Sequence, residues 1–126
     1  MRRVSIALAP LLVGALACGD GPTDASGNAG DLTRVPATIA DLSFTPATLN
    51  VRAGTQVTWK NNGPSIHTVT SDAGLWHSDR ISGGGVNSYG SPVSGGSYSR
   101  IFDQVGEFPY HCAIHPTMTG KVVVSE

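Results

Sequence analysis

An all-β fold, closed as a two-sheet sandwich, is what this sequence predicts, and three observations predict it. Short β-favouring runs such as QVTW, HTVT and KVVV recur between turn signals. Sixteen glycines and eight prolines punctuate the chain too often for long helices. In GTQVTWKNNG, Val57 and Trp59 alternate with Gln56, Thr58 and Lys60, so one face is apolar and the other wet, the period-two pattern of a half-buried strand.

Taken in order, candidate strands lie near Thr48–Arg52, Thr55–Lys60, His67–Thr70, Ser97–Phe102, Glu107–Cys112 and Lys121–Ser125, with a weaker one near Thr38–Phe44. About seven such strands suit a sandwich in which the apolar positions of two sheets meet. The stretch Ser82–Gly96 (SGGGVNSYGSPVSGG) is long for a hairpin connection and is expected as a mobile surface loop. At 126 residues the chain has room for one domain, placed at 36–126, and no internal repeat is visible. The formal charge of −1, with charged residues at 13%, leaves no basic stripe for a phosphate backbone, so nucleic acid is not expected as a partner; a monomer is expected.

The N-terminus reads as an address. Arg2 and Arg3 precede an apolar run from Ile6 to Ala17, too short to span a bilayer and suited to a signal-peptide core over 1–17. The run ends in Gly14-Ala-Leu-Ala-Cys18, which resembles the lipobox of bacterial lipoproteins, although Leu16 stands at −2 where −3 is usual. That resemblance implies an exported protein held to a membrane only by lipid on Cys18, facing the periplasm or cell exterior. An ordinary cleavage after Ala17 is the plainer alternative. Residues 18–35 are rich in Gly, Ser, Asp and Thr and are expected as a tether. The second cysteine is Cys112. Export would permit a Cys18–Cys112 disulfide, but one partner lies on the tether and the other in a chemically specific segment.

That segment is Phe108-Pro-Tyr-His-Cys-Ala-Ile-His-Pro-Thr-Met-Thr-Gly. Cys112, His115 and Met118 follow one another at intervals of three, between two strands. A thiolate and an imidazole from one loop, a second imidazole from elsewhere and a weak thioether make up a blue-copper donor set. His67, after the Asn-Asn-Gly-Pro turn, supplies the second imidazole from a separate element. Strand parity puts Phe108, Tyr110 and Cys112 on the core face and His111 on the other, so His111, like His77, is expected at the surface. Singly, each position has a plainer reading: Met118 as core, His115 as a loop histidine, Cys112 as an inert buried thiol.

The chain resembles a cupredoxin of the plastocyanin, amicyanin and pseudoazurin kind. The likeness runs through Phe44-Thr-Pro, Val51-Arg-Ala-Gly, Val57-Thr-Trp-Lys-Asn, His67-Thr-Val, Gly106-Glu-Phe-Pro-Tyr-His-Cys and His115-Pro-Thr-Met-Thr-Gly. It implies a Greek-key β-sandwich and one copper ion, with His67 and His115 as nitrogen ligands, Cys112 as thiolate and Met118 as axial ligand. Two departures bear on the surroundings of the site. Thr68 follows His67 where Asn is usual, and Ala113 follows Cys112 where Ser or Thr is usual, so the side-chain bond between those positions is expected to be missing and the shell less stiff. The Thr68 N–H is expected to bond the Cys112 sulfur. Ile114 stands where short-loop relatives carry Pro, and its N–H is expected to give the thiolate a second hydrogen bond, raising the reduction potential.

The function so implied is single-electron shuttling in the Cu(I)/Cu(II) couple, with transient redox proteins such as a cytochrome or membrane oxidase as partners. Pro64, Ile66, Ile114 and Pro116 are expected to form an apolar docking rim around His115. Copper carriage or storage is the rival reading, and a metal-free adhesive sandwich a third. Four histidines are too few for the extra copper centres of a multicopper enzyme, so an enzyme is not expected.

Overall fold

The computed structural model describes residues 33–126. The expected signal peptide, Cys18 and most of the tether lie outside the described residues. The elements are β1 (Arg34–Ala40), β2 (Ser43–Thr45), β3 (Thr48–Arg52), β4 (Thr55–Asn61), β5 (Thr70–Ser71), β6 (Gly85–Val86), β7 (Pro92–Val93), β8 (Ser97–Phe102), β9 (Gly106–His111) and β10 (Thr119–Ser125). Two four-stranded sheets, ordered β2-β1-β4-β8 and β3-β10-β9-β5, form the sandwich. β1 pairs parallel with β4 and β10 parallel with β3, and the other pairs are antiparallel. The all-β sandwich is the architecture the alternation predicts.

Alternation decides the layers. In β4, Thr55, Val57, Trp59 and Asn61 are buried while Gln56, Thr58 and Lys60 are partly covered, and in β3 Leu49 and Val51 point inward between exposed neighbours. Between the sheets, Trp59 packs edge-on against Tyr110 with ring centroids 5.4 Å apart, and its indole N–H donates to the Tyr110 hydroxyl at 3.1 Å. Both rings are fully buried, and that bond spares the indole N–H the cost of an unpaired polar group, about 1–3 kcal/mol. Burial raises the Tyr110 phenol above its ordinary value, against the opposing effect of the Trp59 bond.

Four details differ from the sequence expectation. The weak strand near Thr38–Phe44 is two strands, β1 and β2, joined by the turn at Asp41 and Leu42. β1 starts at Arg34, two positions ahead of the expected domain start, because Val35 pairs with Val57 and packs against the core. The strand expected at His67–Thr70 shrinks to β5. Its backbone is spent instead on the segment 76–81: His67 and Ile81 exchange hydrogen bonds at 3.1 and 2.8 Å, and the Val69 N–H donates to Ser78 Oγ at 2.8 Å.

The glycine-rich stretch Ser82–Gly96, expected as a mobile loop, holds the ribbon β6–β7. Asn87 Oδ1 closes its turn by accepting the N–H groups of Tyr89 and Ser91, both at 3.0 Å. Its base is tied to the end of β4 by Gly84 N–H to Gly63 O at 2.8 Å and Asn61 N–H to Gly96 O at 3.0 Å. Gly83 and Gly95 stand there because a Cβ would collide with the Pro64 and Asn61 carbonyl oxygens.

Candidate metal centre

Two connections bring the donors together at one end of the sandwich. The first leaves β4 at Asn61, whose buried amide donates to the carbonyls of Ser65 (2.8 Å) and Ile81 (3.2 Å) while its oxygen accepts the Gly63 N–H at 3.1 Å. A single side chain thus shapes the turn that delivers His67 into the interior, where it is fully buried. The second connection joins β9 to β10. Parity carries Cys112 inward behind Phe108 and Tyr110. The loop then closes on itself, with Cys112 N–H donating to Met118 O at 3.0 Å and Met118 N–H to His115 O at 2.9 Å.

His67, Cys112 and His115 converge, and one ligand atom from each lies within 4.8 Å of the others. Cys112 Sγ stands 3.8 Å from His67 Nδ1 and 3.7 Å from His115 Nδ1. A first-row ion of zinc's size, bound at about 2.3 Å to sulfur and about 2.0 Å to nitrogen, separates those donors by about 3.7 Å in a trigonal arrangement. The spacing therefore fits a metal without backbone movement. Among the described residues, Cys112 is a free, fully buried thiol. Met118 is 2% exposed, in the same loop and in the core. A soft thiolate with two imidazoles selects copper over hard cations.

Around the donors, the Thr68 N–H donates to Cys112 Sγ at 3.4 Å, as expected. The cross-site link expected to be missing is present in another form. Ala113 lacks a hydroxyl, but its backbone N–H donates to Thr68 Oγ1 at 2.8 Å. Thr68 Oγ1 continues to Thr70 Oγ1 at 3.0 Å, which bonds His77 Nδ1 at 2.8 Å. A backbone donor and a β-branched hydroxyl do the job of the usual side-chain pair. The second thiolate bond expected from Ile114 is not seen: among the described residues, the Thr68 N–H is the backbone donor that reaches the sulfur, and Ile114 lies in a bend, 42% exposed.

His111 faces away from the donors as parity requires, and its Nδ1 pairs with Asp72 Oδ1 at 2.5 Å. His77 is exposed. One residue escaped the sequence reading. Asp41, 26 positions before His67, places Oδ1 at 3.4 Å from His67 Nε2 and accepts hydrogen bonds from Ser65 N–H (3.3 Å) and Ser65 Oγ (3.2 Å). Desolvation pushes its carboxyl up, but the Ser65 N–H, the Ser65 hydroxyl and His67 outweigh it, so its pKa lies below the ordinary value. No motif spacing marks Asp41.

A Greek-key sandwich with a histidine, cysteine and histidine trio at one end and a buried methionine in the same loop defines a cupredoxin. The family of copper binding proteins described as plastocyanin/azurin matches residues 33–125, and the chain belongs to it. Plastocyanin of Tetradesmus obliquus is 36% identical over 66% of this chain, and amicyanin of Paracoccus denitrificans 34% over 68%. The chain spans 59% and 61% of the length of those relatives. A solved Cu(I) form of an amicyanin mutant superposes with a TM-score of 0.61 at 29% identity, covering 73% of this chain and 82% of that one. The purple cupredoxin of Nitrosopumilus maritimus, at 24% identity and a TM-score of 0.60, shares the fold. The cofactor is one copper ion, working between Cu(I) and Cu(II).

Proposed function

We propose that this protein carries single electrons through a type 1 copper bound by His67, Cys112 and His115, with Met118 as the weak axial ligand. The observation that carries the reading is the pair of Cys112 Sγ to Nδ1 distances, 3.8 and 3.7 Å, one from each connection. Copper supplies a one-electron couple whose two states both accept this mixed donor set. The chain's part is to hold the donors still. Asn61 fixes the turn before His67, and the Met118 backbone closes the loop of Cys112 and His115. A site that need not rearrange on changing oxidation state keeps the barrier to transfer low.

His115 is partly exposed, and Pro64, Ile66, Ile114 and Pro116, which neighbour the site along both connections, are all exposed. They form an apolar rim against which a redox protein docks transiently, and a cytochrome or membrane oxidase is the partner class that fits an exported carrier. With a formal charge of −1, encounter is weakly steered and only modestly salt-dependent. Export under residues 1–17 and anchoring through lipid on Cys18 belong to the same proposal, and a lipid mass on Cys18 of the membrane fraction tests them.

The test of the site is a visible spectrum of residues 33–126 loaded with Cu(II). An intense band near 600 nm, of the order expected for thiolate-to-copper charge transfer, together with reversible redox, supports the reading. A band that survives Cys112→Ser would refute it, and a colourless protein holding only Cu(I) would favour carriage.

A further inference from the structure

The hairpin turn between β1 and β2 consists of Asp41 and Leu42, since Ala40 pairs with Ser43. Leu42 has φ 61°, left-handed for a leucine that is 66% exposed and gains little by packing. Such an outlier persists only where surrounding contacts over-determine it, and it is a pointer to function. The other turn residue, Asp41, is the one tied to the rest of the fold. Its carboxylate holds the Ser65 N–H and hydroxyl and stands 3.4 Å from Nε2 of the fully buried His67. Gly63 makes room for it, because a Cβ there would stand 2.6 Å from Asp41 Oδ1 and 2.9 Å from Asp41 N.

His67 directs Nδ1 at Cys112 Sγ and Nε2 at Asp41. With Nε2–H donating to a carboxylate, Nδ1 keeps its lone pair and the ring's orientation is set. A carboxylate differs from a neutral acceptor in two ways. It makes a stronger, charge-assisted bond that raises the imidazole's basicity, and its negative charge attracts Cu(II) more than Cu(I).

We propose that Asp41 is a positioning residue of the copper site, one that holds His67 in its ligating tautomer and biases the metal toward Cu(II). This rests on His67 being a ligand. Outer-sphere partners of ligating histidines are worth about tenfold or more in metal affinity. Asp41→Asn, which keeps the shape and removes the charge, should retain the blue band while lowering the ratio of Cu(II) to Cu(I) affinity about tenfold. That is a rise of about 59 mV in a one-electron potential. Ser65→Ala, which loses a hydroxyl bond to Asp41 but no charge, is the control.

The metal-free protein gives a second measurement that needs no variant. Nitrogen-15 spectra should show His67 as the Nε2–H tautomer, and the Nε2 resonance should move in Asp41→Asn. A blue wild-type protein whose potential in Asp41→Asn equals that of Ser65→Ala would overturn the role of Asp41 and leave the copper site standing. An Nδ1–H tautomer of His67 would overturn it as well. A wild-type protein with no blue band in Cu(II) would instead strike the ligand assignment.

Discussion

Thr68→Val tests whether the Thr68 hydroxyl stiffens the site before any metal arrives. Valine matches threonine in shape, so the substitution makes no cavity at a residue 3% exposed. It removes the acceptor of the Ala113 N–H (2.8 Å) and the bond to Thr70 (3.0 Å). Each is worth roughly 0.5–1.5 kcal/mol net. Ala113 is exposed, so water recovers part of its loss, and Thr70 keeps His77 at 2.8 Å. The expected cost is therefore about 1–2 kcal/mol. In a domain of this size each kcal/mol moves the midpoint by roughly 4–8 °C, so metal-free Thr68→Val should melt roughly 4–16 °C lower by circular dichroism. Thr68→Ser should recover most of it. Because the bond to Cys112 Sγ comes from the Thr68 backbone, the blue band of the loaded variant should stay. An unchanged melting temperature in Thr68→Val, or no recovery in Thr68→Ser, would refute the claim that this hydroxyl holds the two connections together.

Ile114→Pro removes an N–H that does not reach the thiolate, so its potential should move by much less than about 40 mV, the one-electron equivalent of a hydrogen bond of about 1 kcal/mol. Voltammetry showing a fall of that full size would restore the second thiolate bond. Met118→Leu conserves volume at a buried position and should cost under about 1.5 kcal/mol in the metal-free protein. In the loaded protein the colour should remain while the potential rises by about 60 mV, a tenfold bias toward Cu(I), and an unmoved potential would remove Met118 from the ligand set. Tyr110 carries a raised phenol pKa. Its contribution is whole below about pH 10 and is lost as pH rises through the raised value, since the folded state then holds the extra proton. Tyr110→Phe should flatten that alkaline fall in urea midpoints, at a cost of about 1–3 kcal/mol at neutral pH for the orphaned Trp59 N–H.

The strands that could be read in advance are those whose faces differ. β3 and β8 begin and end where the alternation does, and β4 runs one residue further to Asn61. Elsewhere the local pattern was overruled by partners distant in the chain. HTVT has strand chemistry, yet Val69 gives its N–H to a serine hydroxyl and His67 pairs with Ile81, so a ladder becomes two isolated bridges around β5. The Ser82–Gly96 stretch looks structureless because its order comes from one asparagine side chain and from glycines that fit under carbonyl groups at 61 and 64. Composition records the glycines but not what lies above them.

The donors and their supports divide along the same line. Cys112, His115 and Met118 are legible because one short loop must present three soft or borderline donors at fixed spacing, and spacing is a property of sequence. Asp41 is not, because it reaches His67 across two elements through a turn whose only local mark is a leucine at positive φ. Thr68 shows why substitution patterns mislead in the same way. Judged by side-chain types, Thr68 and Ala113 could not bond, yet the loop closure at Met118 sets the Ala113 N–H against the Thr68 hydroxyl. A donor can move from side chain to backbone with no trace in the residue names. What the sequence specifies well is therefore which donor types share one short loop, while the groups that stand against them, Asp41 beside His67 and the Thr68 N–H beside Cys112 Sγ, take positions that only the folded chain defines.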